Sequence, residues 1–238
     1  MKTVAALCLI VLAAASLTNA SWVPKRGPCY CLPKRFQVRI GQLNGLVYNG
    51  YPFEQINSIE TAMDFVDGKI GQEIYSYQMG TWTKVKTITD VKQGVTYTIL
   101  NGNCTQTPAM EFEQCLSKTA RFEDDFYFGD RQLFGNSFSE YSNTTSFQGN
   151  VTLSFTKRDC LPISTSAWGT TGSDPVIPIL STSGFTDFKY GIRDRAFWFD
   201  VPEICTPTEM RSLESVESDP AMKLTMLINS LIMPSQGN

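Results

Sequence analysis

Residues 62–77 read AMDFVDGKIGQEIYSY, and this stretch decides the fold class. Asp67-Gly68 is a dipeptide typical of tight hairpin turns, and it stands between two runs rich in apolar and aromatic residues. The stretch therefore predicts a β-hairpin with strands at 62–66 and 70–77.

The same pattern continues on both sides of this hairpin. Phe36, Val38 and Ile40 alternate with polar residues, as in a half-buried strand, and 95–100 alternates before the turn Asn101-Gly102. Further strands are predicted at 126–128, 151–155, 177–180 and 185–190. Short strands separated by Gly, Asn and Asp turns favour a mostly β fold built on a large antiparallel sheet, curved or sandwiched.

Two segments do not follow the strand pattern. Residues 165–174 are rich in Ser, Thr and Gly, which indicates a loop. The tail 208–238 predicts a short helix at 208–216 and a second one after Asp219-Pro220. We therefore divide the chain into a β domain at 21–207 and a helical tail at 208–238.

The first 20 residues predict secretion. Lys2 precedes an apolar run from Val4 to Leu17, and Thr18-Asn19-Ala20 supplies a small residue at the expected cleavage position. This order is typical of a signal peptide, and the run is short for a membrane span. We expect an extracellular protein that begins near Ser21 and has no transmembrane anchor.

Six cysteines remain after the expected cleavage: Cys29, Cys31, Cys104, Cys115, Cys160 and Cys205. An even number in a secreted chain predicts three disulfides, and spacing alone permits fifteen pairings. Three sequons predict N-glycosylation, at Asn103, Asn143 and Asn150.

Charge and composition exclude several functions. The chain has 20 Lys and Arg against 23 Asp and Glu, which does not favour a nucleic-acid partner. It contains no histidine, so Ser-His-Asp and Cys-His catalysis is impossible and a catalytic zinc site is disfavoured. Paired carboxylates stay open as a hydrolase mechanism, but we expect no enzyme and no organic cofactor.

Aromatic residues make up 12% of the chain and recur along the predicted strands. They form either a plain core or the lining of a concave apolar cavity, and strand alternation does not separate the two. The candidate ligand pocket consists of the large residues expected to point inward: Phe36, Val38, Ile40, Phe65, Tyr97, Ile99, Leu153, Phe155 and Phe188.

Three later motifs resemble the ependymins and ependymin-related proteins. They are TKRDCLP at 156–162, FTDFKYGIRD at 185–194 followed by Phe197, Pro202 and Cys205, and GVTY at 94–97 leading to Cys104. The resemblance runs from Cys29 to Cys205, and the tail beyond Pro207 has no counterpart.

The resemblance implies a secreted glycoprotein whose antiparallel sheets form a half-barrel-like sandwich with an apolar pocket, similar to bacterial lipoprotein carriers. It also implies a homodimer, association with calcium, and roles in the extracellular matrix or in cell adhesion. Calcium requires several oxygen ligands. The densest group of acidic residues, and therefore the candidate calcium site, is Glu123, Asp124, Asp125 and Asp130. A solvated acidic turn is the simpler interpretation of this group.

The family pattern also implies disulfides. Cys104 would pair with Cys205, and one of Cys29 and Cys31 with Cys160. Cys115 matches no family cysteine and would take the other member. We write these pairs as Cys29–Cys160 and Cys31–Cys115, and Cys29 and Cys31 are exchangeable at this stage.

Three functions follow as hypotheses. The first is an extracellular protein that binds a lipid or another hydrophobic molecule in its pocket. The second is a structural glycoprotein of the matrix or of cell adhesion without a ligand, and the third is a carboxylate-dependent hydrolase.

Overall fold

The structure is a computed structural model, and it describes residues 28–48, 50–78, 80–109, 112–129, 132–143, 147–171 and 176–205. Eleven antiparallel strands and one short helix, α1, make up this part of the chain. Their bounds are β1 Arg35–Tyr48, β2 Tyr51–Asp64, β3 Lys69–Gln78, β4 Thr81–Asp90, β5 Val95–Leu100, β6 Asn103–Pro108, β7 Arg121–Phe128, β8 Leu133–Asn143, β9 Phe147–Thr156, β10 Pro162–Thr171, β11 Pro178–Tyr190 and α1 Arg195–Phe199.

All eleven strands form one open sheet in the order β6-β5-β4-β3-β2-β1-β11-β10-β9-β8-β7. Two meanders meet at the central pair β1 and β11, and the two edge strands are β6 and β7. These edges are consecutive in the chain, so the segment 109–120 leads from one edge of the sheet to the other. The mostly β, antiparallel fold class expected from the sequence is confirmed.

The sheet is strongly curved. Met63 of β2 and Glu140 of β8 line the same small cavity, although five strand-to-strand steps separate β2 from β8. At about 4.8 Å a step these strands would lie about 24 Å apart in a flat sheet. Both halves of the sheet therefore turn toward a common concave face.

The concave face is apolar at one end of β1 and polar at the other. Phe36, Val38 and Ile40 are buried on this face, and Gln42 and Asn44 continue the same alternation but are buried polar groups. Each half of the sheet supplies an apolar cluster, one around Phe36 and the other around Phe138. Leu32 packs against both clusters and joins them into one core.

A hydrogen-bonded network makes the buried polar end of the concave face possible. The Asn44 side chain donates to Gln55 Oε1 at 3.1 Å and accepts from Ser181 Oγ at 2.6 Å. Asn57 Nδ2 donates to Gln42 Oε1 at 2.9 Å. Because most of these polar atoms are paired, their burial carries little of the cost that unpaired groups would have.

Helix α1 packs on the convex face, over Ala62 and Gly71. Asp194 caps the helix, since its Oδ1 accepts the Phe197 N–H at 3.1 Å. Within the described residues no helix has the length and apolar character that a membrane span requires.

Three disulfides join distant parts of the chain: Cys29–Cys160, Cys31–Cys115 and Cys104–Cys205. The first two start from residues 28–34, which we call the N-terminal segment. They connect it to the β9–β10 connection and to the segment between β6 and β7. The third ties edge strand β6 to the turn after α1.

Two local expectations are corrected. Residues 165–171 belong to strand β10, although Ser, Thr and Gly there suggested a loop. The two strands expected at 177–180 and 185–190 are one strand, β11. Both segments contain Ser and Thr because one face of each strand lies toward solvent or toward the polar network, and β-branched Thr suits a pleated sheet.

The predicted helical tail at 208–238, the predicted signal peptide at 1–20 and the candidate calcium ligand Asp130 lie outside the described residues.

Candidate ligand site

A cavity lies between the concave face of the sheet and residues 112–120, which we call the cover segment. Its sheet side includes the apolar residues Phe36, Val38, Leu153, Phe155 and Phe185. Its other side consists of Glu113 to Ser117 from the cover segment and of Tyr30 and Leu32 from the N-terminal segment. The site is therefore a small, partly open space between a curved apolar wall and an irregular cover.

A few specific contacts hold the cover segment. The Leu32 N–H donates to the Gln114 carbonyl at 2.8 Å, and the Leu116 N–H donates to the Tyr30 carbonyl at 2.6 Å. Gln114 Nε2 donates to the Leu32 carbonyl at 2.6 Å, and the Cys31–Cys115 disulfide adds a covalent tie. These contacts join the cover to the N-terminal segment, so the two close the cavity together.

The cavity has a volume of about 50 Å³. This space accommodates a few water molecules, whereas pockets for organic ligands usually measure about 300–1,000 Å³. A long apolar chain therefore does not fit beneath the cover segment as it stands. A larger ligand requires the cover to move away from the sheet.

Two carboxyl groups belong to this cavity, and among the residues that the structure describes no Lys or Arg side chain lines it. Glu140 of β8 is only 8% exposed, and Glu113 lies on the cover segment. Burial raises the pKa of Glu140, and the nearby Glu113 carboxylate raises it further. The cavity thus combines apolar walls with uncompensated negative charge.

The structure separates the nine predicted pocket residues into three groups. Phe36, Val38, Leu153 and Phe155 line the cavity. Ile40 is fully buried in the core, and Phe65 and Phe188 pack their rings around Phe36. Tyr97 and Ile99 lie on the opposite face of the sheet, because their cross-strand partners are Ile88 and Lys86.

The predicted calcium ligands lie on edge strand β7, apart from Asp130. Glu123 contacts Ser139 Oγ and Arg121, Asp125 pairs with Lys157, and Asp124 Oδ1 accepts the N–H of Asp125. In the part of the chain that the structure describes, no three His, Cys, Asp or Glu side chains form a group that could hold a metal ion. Calcium binding stays a prediction.

All three sequon asparagines, Asn103, Asn143 and Asn150, are exposed. Asn103 begins β6, Asn143 ends β8 and Asn150 lies within β9. A glycan at each position is compatible with the fold.

Sequence reasoning missed Glu113, Glu140 and the cover segment. Residues 109–120 carry no alternation, so their place over the concave face has no local signal. Glu140 lies between Phe138 and Ser142 in the row of inward-facing residues of β8. An acidic residue in such a row was the available signal.

A family model described as Ependymin matches residues 80–205, which is more than half of the chain. The protein belongs to the ependymin family. The match begins at Gly80, just before β4, and ends at Cys205, so it includes the cover segment and both cavity carboxyl groups. No curated protein matches the sequence.

Two of the solved structures to which the chain is similar are bacterial proteins. An uncharacterised conserved protein from Thermus thermophilus has 11% identity and a TM-score of 0.46, over 76% of this chain and 91% of that protein. A domain assigned as an outer membrane lipoprotein-sorting protein from Vibrio parahaemolyticus has 9% identity and a TM-score of 0.31, over 68% of this chain and 88% of that domain.

Proposed function

We propose that this ependymin is an extracellular glycoprotein that binds a hydrophobic ligand on the concave face of its sheet, beneath the cover segment. The observation that carries this proposal is the cavity itself, whose walls come from both halves of the sheet and are mainly apolar. Family membership and three disulfides fit an extracellular location. Ependymins are not known as enzymes.

The small volume of the cavity sets a condition on binding. At about 50 Å³ it admits only a small group, so an apolar chain enters after the cover segment is displaced. Displacement would expose the side chains of Phe36 and Phe155 on the sheet and bury them again under the ligand. Each 100 Å² of apolar surface buried in this way contributes about 2.5 kcal/mol.

A pair of variants on the cover segment tests the proposal. Ser117 lines the cavity, whereas its neighbour Lys118 is exposed and does not. A Trp at 117 would fill the space, so S117W should weaken binding of a neutral fluorescent apolar probe by about tenfold or more. K118W should bind the probe as the unmodified protein does. Equal binding by both variants, with both folded, would place the ligand elsewhere.

A second candidate function is that of a matrix or adhesion glycoprotein that acts as a homodimer. The observation that favours it is a row of exposed apolar side chains across the convex face, which we call the convex stripe. Its members come from six strands: Trp82, Ile56, Leu43, Leu180, Trp168 and Tyr141. Contiguous exposed apolar surface of this kind is typical of interaction sites.

Light scattering on the glycosylated protein, at several concentrations, tests the second candidate. L43E should convert a dimer to a monomer, because it places a charge within the convex stripe. Q93E, in the exposed turn after β4, adds the same charge away from the stripe and should leave the dimer intact. A protein that is monomeric at every concentration would remove this candidate.

Calcium association is proposed at the acidic segment of β7, where three consecutive carboxylates lie on one edge strand. Millimolar calcium should then raise the melting temperature relative to chelator. The variant D124N tests the site, because Asp124 has no ion pair among the described residues that its loss would disturb. The same melting temperature with calcium and with chelator would indicate that the acidic residues of β7 bind no calcium.

A further inference from the structure

We infer that the cavity beneath the cover segment is a site for an organic cation, an amine or quaternary ammonium group on an apolar body, with Glu140 and Glu113 as its counter-charges. This inference rests on the proposed function, and it names the chemical class of the ligand.

The first argument is the isolation of the Glu140 carboxyl group. Its side chain is buried on the inward face of β8, between the positions of Phe138 and Ser142 and across from Val151. It has no hydrogen bond or ion pair with any residue that the structure describes. A buried carboxylate without a partner is costly, and proteins usually pair such a group or use it to bind something.

The second argument is the sign of the charge around the cavity. Glu113, an exposed residue of the cover segment, also lines this space, and its charge acts on Glu140. In the described part of the chain, the titratable side chains that line the cavity are Glu113, Glu140 and Tyr30, and neither a carboxyl group nor a phenol can carry a positive charge. A cation between the two carboxyl groups would relieve their repulsion, whereas a fatty acid carboxylate would add a third negative charge.

The third argument is the aromatic character of the cavity walls. The rings of Tyr30, Phe36, Phe155 and Phe185 line the cavity. Aromatic faces attract ammonium groups through the ring quadrupole, and aromatic walls combined with acidic groups form known cages for quaternary ammonium ligands. The volume of about 50 Å³ suits a small head group, and the apolar body would follow the sheet as the cover opens.

Two other uses of the carboxyl pair are less well supported. A metal ion usually takes more ligands than two carboxylates supply, and the described residues contain no group of three candidate ligands. Two carboxyl groups with a raised pKa on one also occur in carboxylate-dependent hydrolases. Product release from a nitrophenyl glycoside that depends on Glu140 would overturn the binding assignment.

Calorimetry with three ligands of equal chain length tests the inference on the full disulfide-bonded protein: decyltrimethylammonium, decanol and decanoate. We expect the ammonium compound to bind about tenfold or more tightly than decanol, and decanoate to bind most weakly. Equal affinity for all three would support the proposed function and reject the inference. No binding of any of the three would reject both.

The variant E140Q separates charge from shape, because Gln keeps the size of the side chain. It should lose the preference for decyltrimethylammonium and keep the affinity for decanol, whereas E54Q, at an exposed position of β2, should change neither. E113Q should show a smaller loss of the same kind. An unchanged ammonium affinity in a folded E140Q protein would overturn the assignment.

The pH profile gives an independent readout. The ligand keeps its charge at all pH values, so its affinity should fall as pH decreases through the raised pKa of Glu140 and the carboxylate is protonated. The profile of E140Q should lack this step. Profiles that coincide in the two proteins would contradict a role for Glu140.

Discussion

Asn150 lies directly across the sheet from Trp168 on one side and from Tyr141 on the other. Directly paired residues of neighbouring strands point to the same face, so the exposed Asn150 side chain stands between two aromatic rings. Trp168 is 47% and Tyr141 is 64% exposed. The sequon asparagine therefore lies within the convex stripe.

We predict that a glycan on Asn150 packs its first sugars against these two rings. Loss of this glycan in N150Q should lower stability more than loss of the glycan in N143Q, by about 1 kcal/mol, because an aromatic face would return to water. In a W168A background the difference should shrink, and a double-mutant cycle measures this coupling. Equal effects of N150Q and N143Q in both backgrounds would argue against the contact.

The glycan also bears on the second candidate function. A glycan at Asn150 would occupy the end of the convex stripe at Trp168 and Tyr141. A partner subunit would then have to dock at the other end, near Leu43, Ile56 and Trp82. The L43E experiment addresses that end.

Asp64 anchors helix α1 to the sheet, and its replacement should destabilise the protein. Its side chain is fully buried and accepts hydrogen bonds from Arg35 Nε at 3.0 Å, from Arg195 and from the backbone N–H groups of Val66 and Asp67 at 3.0 Å. D64N would leave two half-exposed guanidinium groups without their shared carboxylate. We expect a loss of about 1–3 kcal/mol in denaturant unfolding, and a D159N control at an exposed position should lose little.

The same carboxylate predicts an acid sensitivity. Burial alone would raise the pKa of Asp64, but the hydrogen bonds from Arg195, from the Asp67 N–H and from Arg35 outweigh burial and lower the pKa to about 2. A carboxyl group whose pKa is lower in the folded state stabilises the protein above its ordinary pKa of 3.8. Stability should therefore fall as pH decreases from 3.8 toward 2, and D64N should lack this contribution. Parallel curves for the two proteins would contradict the assignment.

Gly71 is required where helix α1 meets the sheet. A Cβ atom at this position would lie 2.5 Å from the Trp198 carbonyl oxygen, which is backbone and moves only with the helix. G71A should therefore lower stability by about 1–3 kcal/mol. Gly41 is the matched control, because it lies on the same convex face with nothing within 4 Å of its Cβ position. Thermal melts of G71A and G41A that coincide would show that α1 adjusts freely.

Cys31–Cys115 should be the first disulfide to be reduced. Both of its cysteines are exposed, whereas Cys29 and Cys205, one from each of the other two disulfides, are buried. Brief treatment with a mild reductant, followed by alkylation and peptide mapping, should label Cys31 and Cys115 before the other four. Earlier labelling of Cys104 would contradict this order.

Loss of that disulfide should also open the candidate site. The cover segment would then be held by three hydrogen bonds to the N-terminal segment and by packing. The double variant C31S/C115S should be less stable by about 2–4 kcal/mol and should take up an apolar probe faster than the unmodified protein. Faster uptake in a double C104S/C205S variant, with no change in C31S/C115S, would show that the cover is not the barrier.

Much of the fold was predictable from local pattern. Asp67-Gly68 and Asn101-Gly102 occupy the hairpin turns that their residue types indicated, since these residues adopt turn conformations readily. Strand β10 was missed because its many Ser and Thr residues are also typical of loops. Whether such a segment forms a strand depends on the strands available beside it, and the composition of the segment carries no information about those neighbours.

The candidate site was only partly predictable. Phe36, Val38, Leu153 and Phe155 were identified because alternation places them on one face of their strands. Tyr97 and Ile99 alternate equally well but face the convex side, since alternation alone does not say which of two faces is concave. The choice of face is made by the register with Ile88 and Lys86 on the adjacent strand.

The sequence by itself determined most of the strands, two of the hairpin turns and the ependymin motifs, because backbone propensity and side-chain alternation act over a few residues. Only the tertiary structure decided what closes the concave face and which charges meet there. Glu113 and Glu140 share a cavity because a segment without regular structure crosses from one edge of a curved sheet to the other. Their proximity raises the pKa of Glu140 through burial and through repulsion, and both effects depend on distances in space that no local pattern encodes.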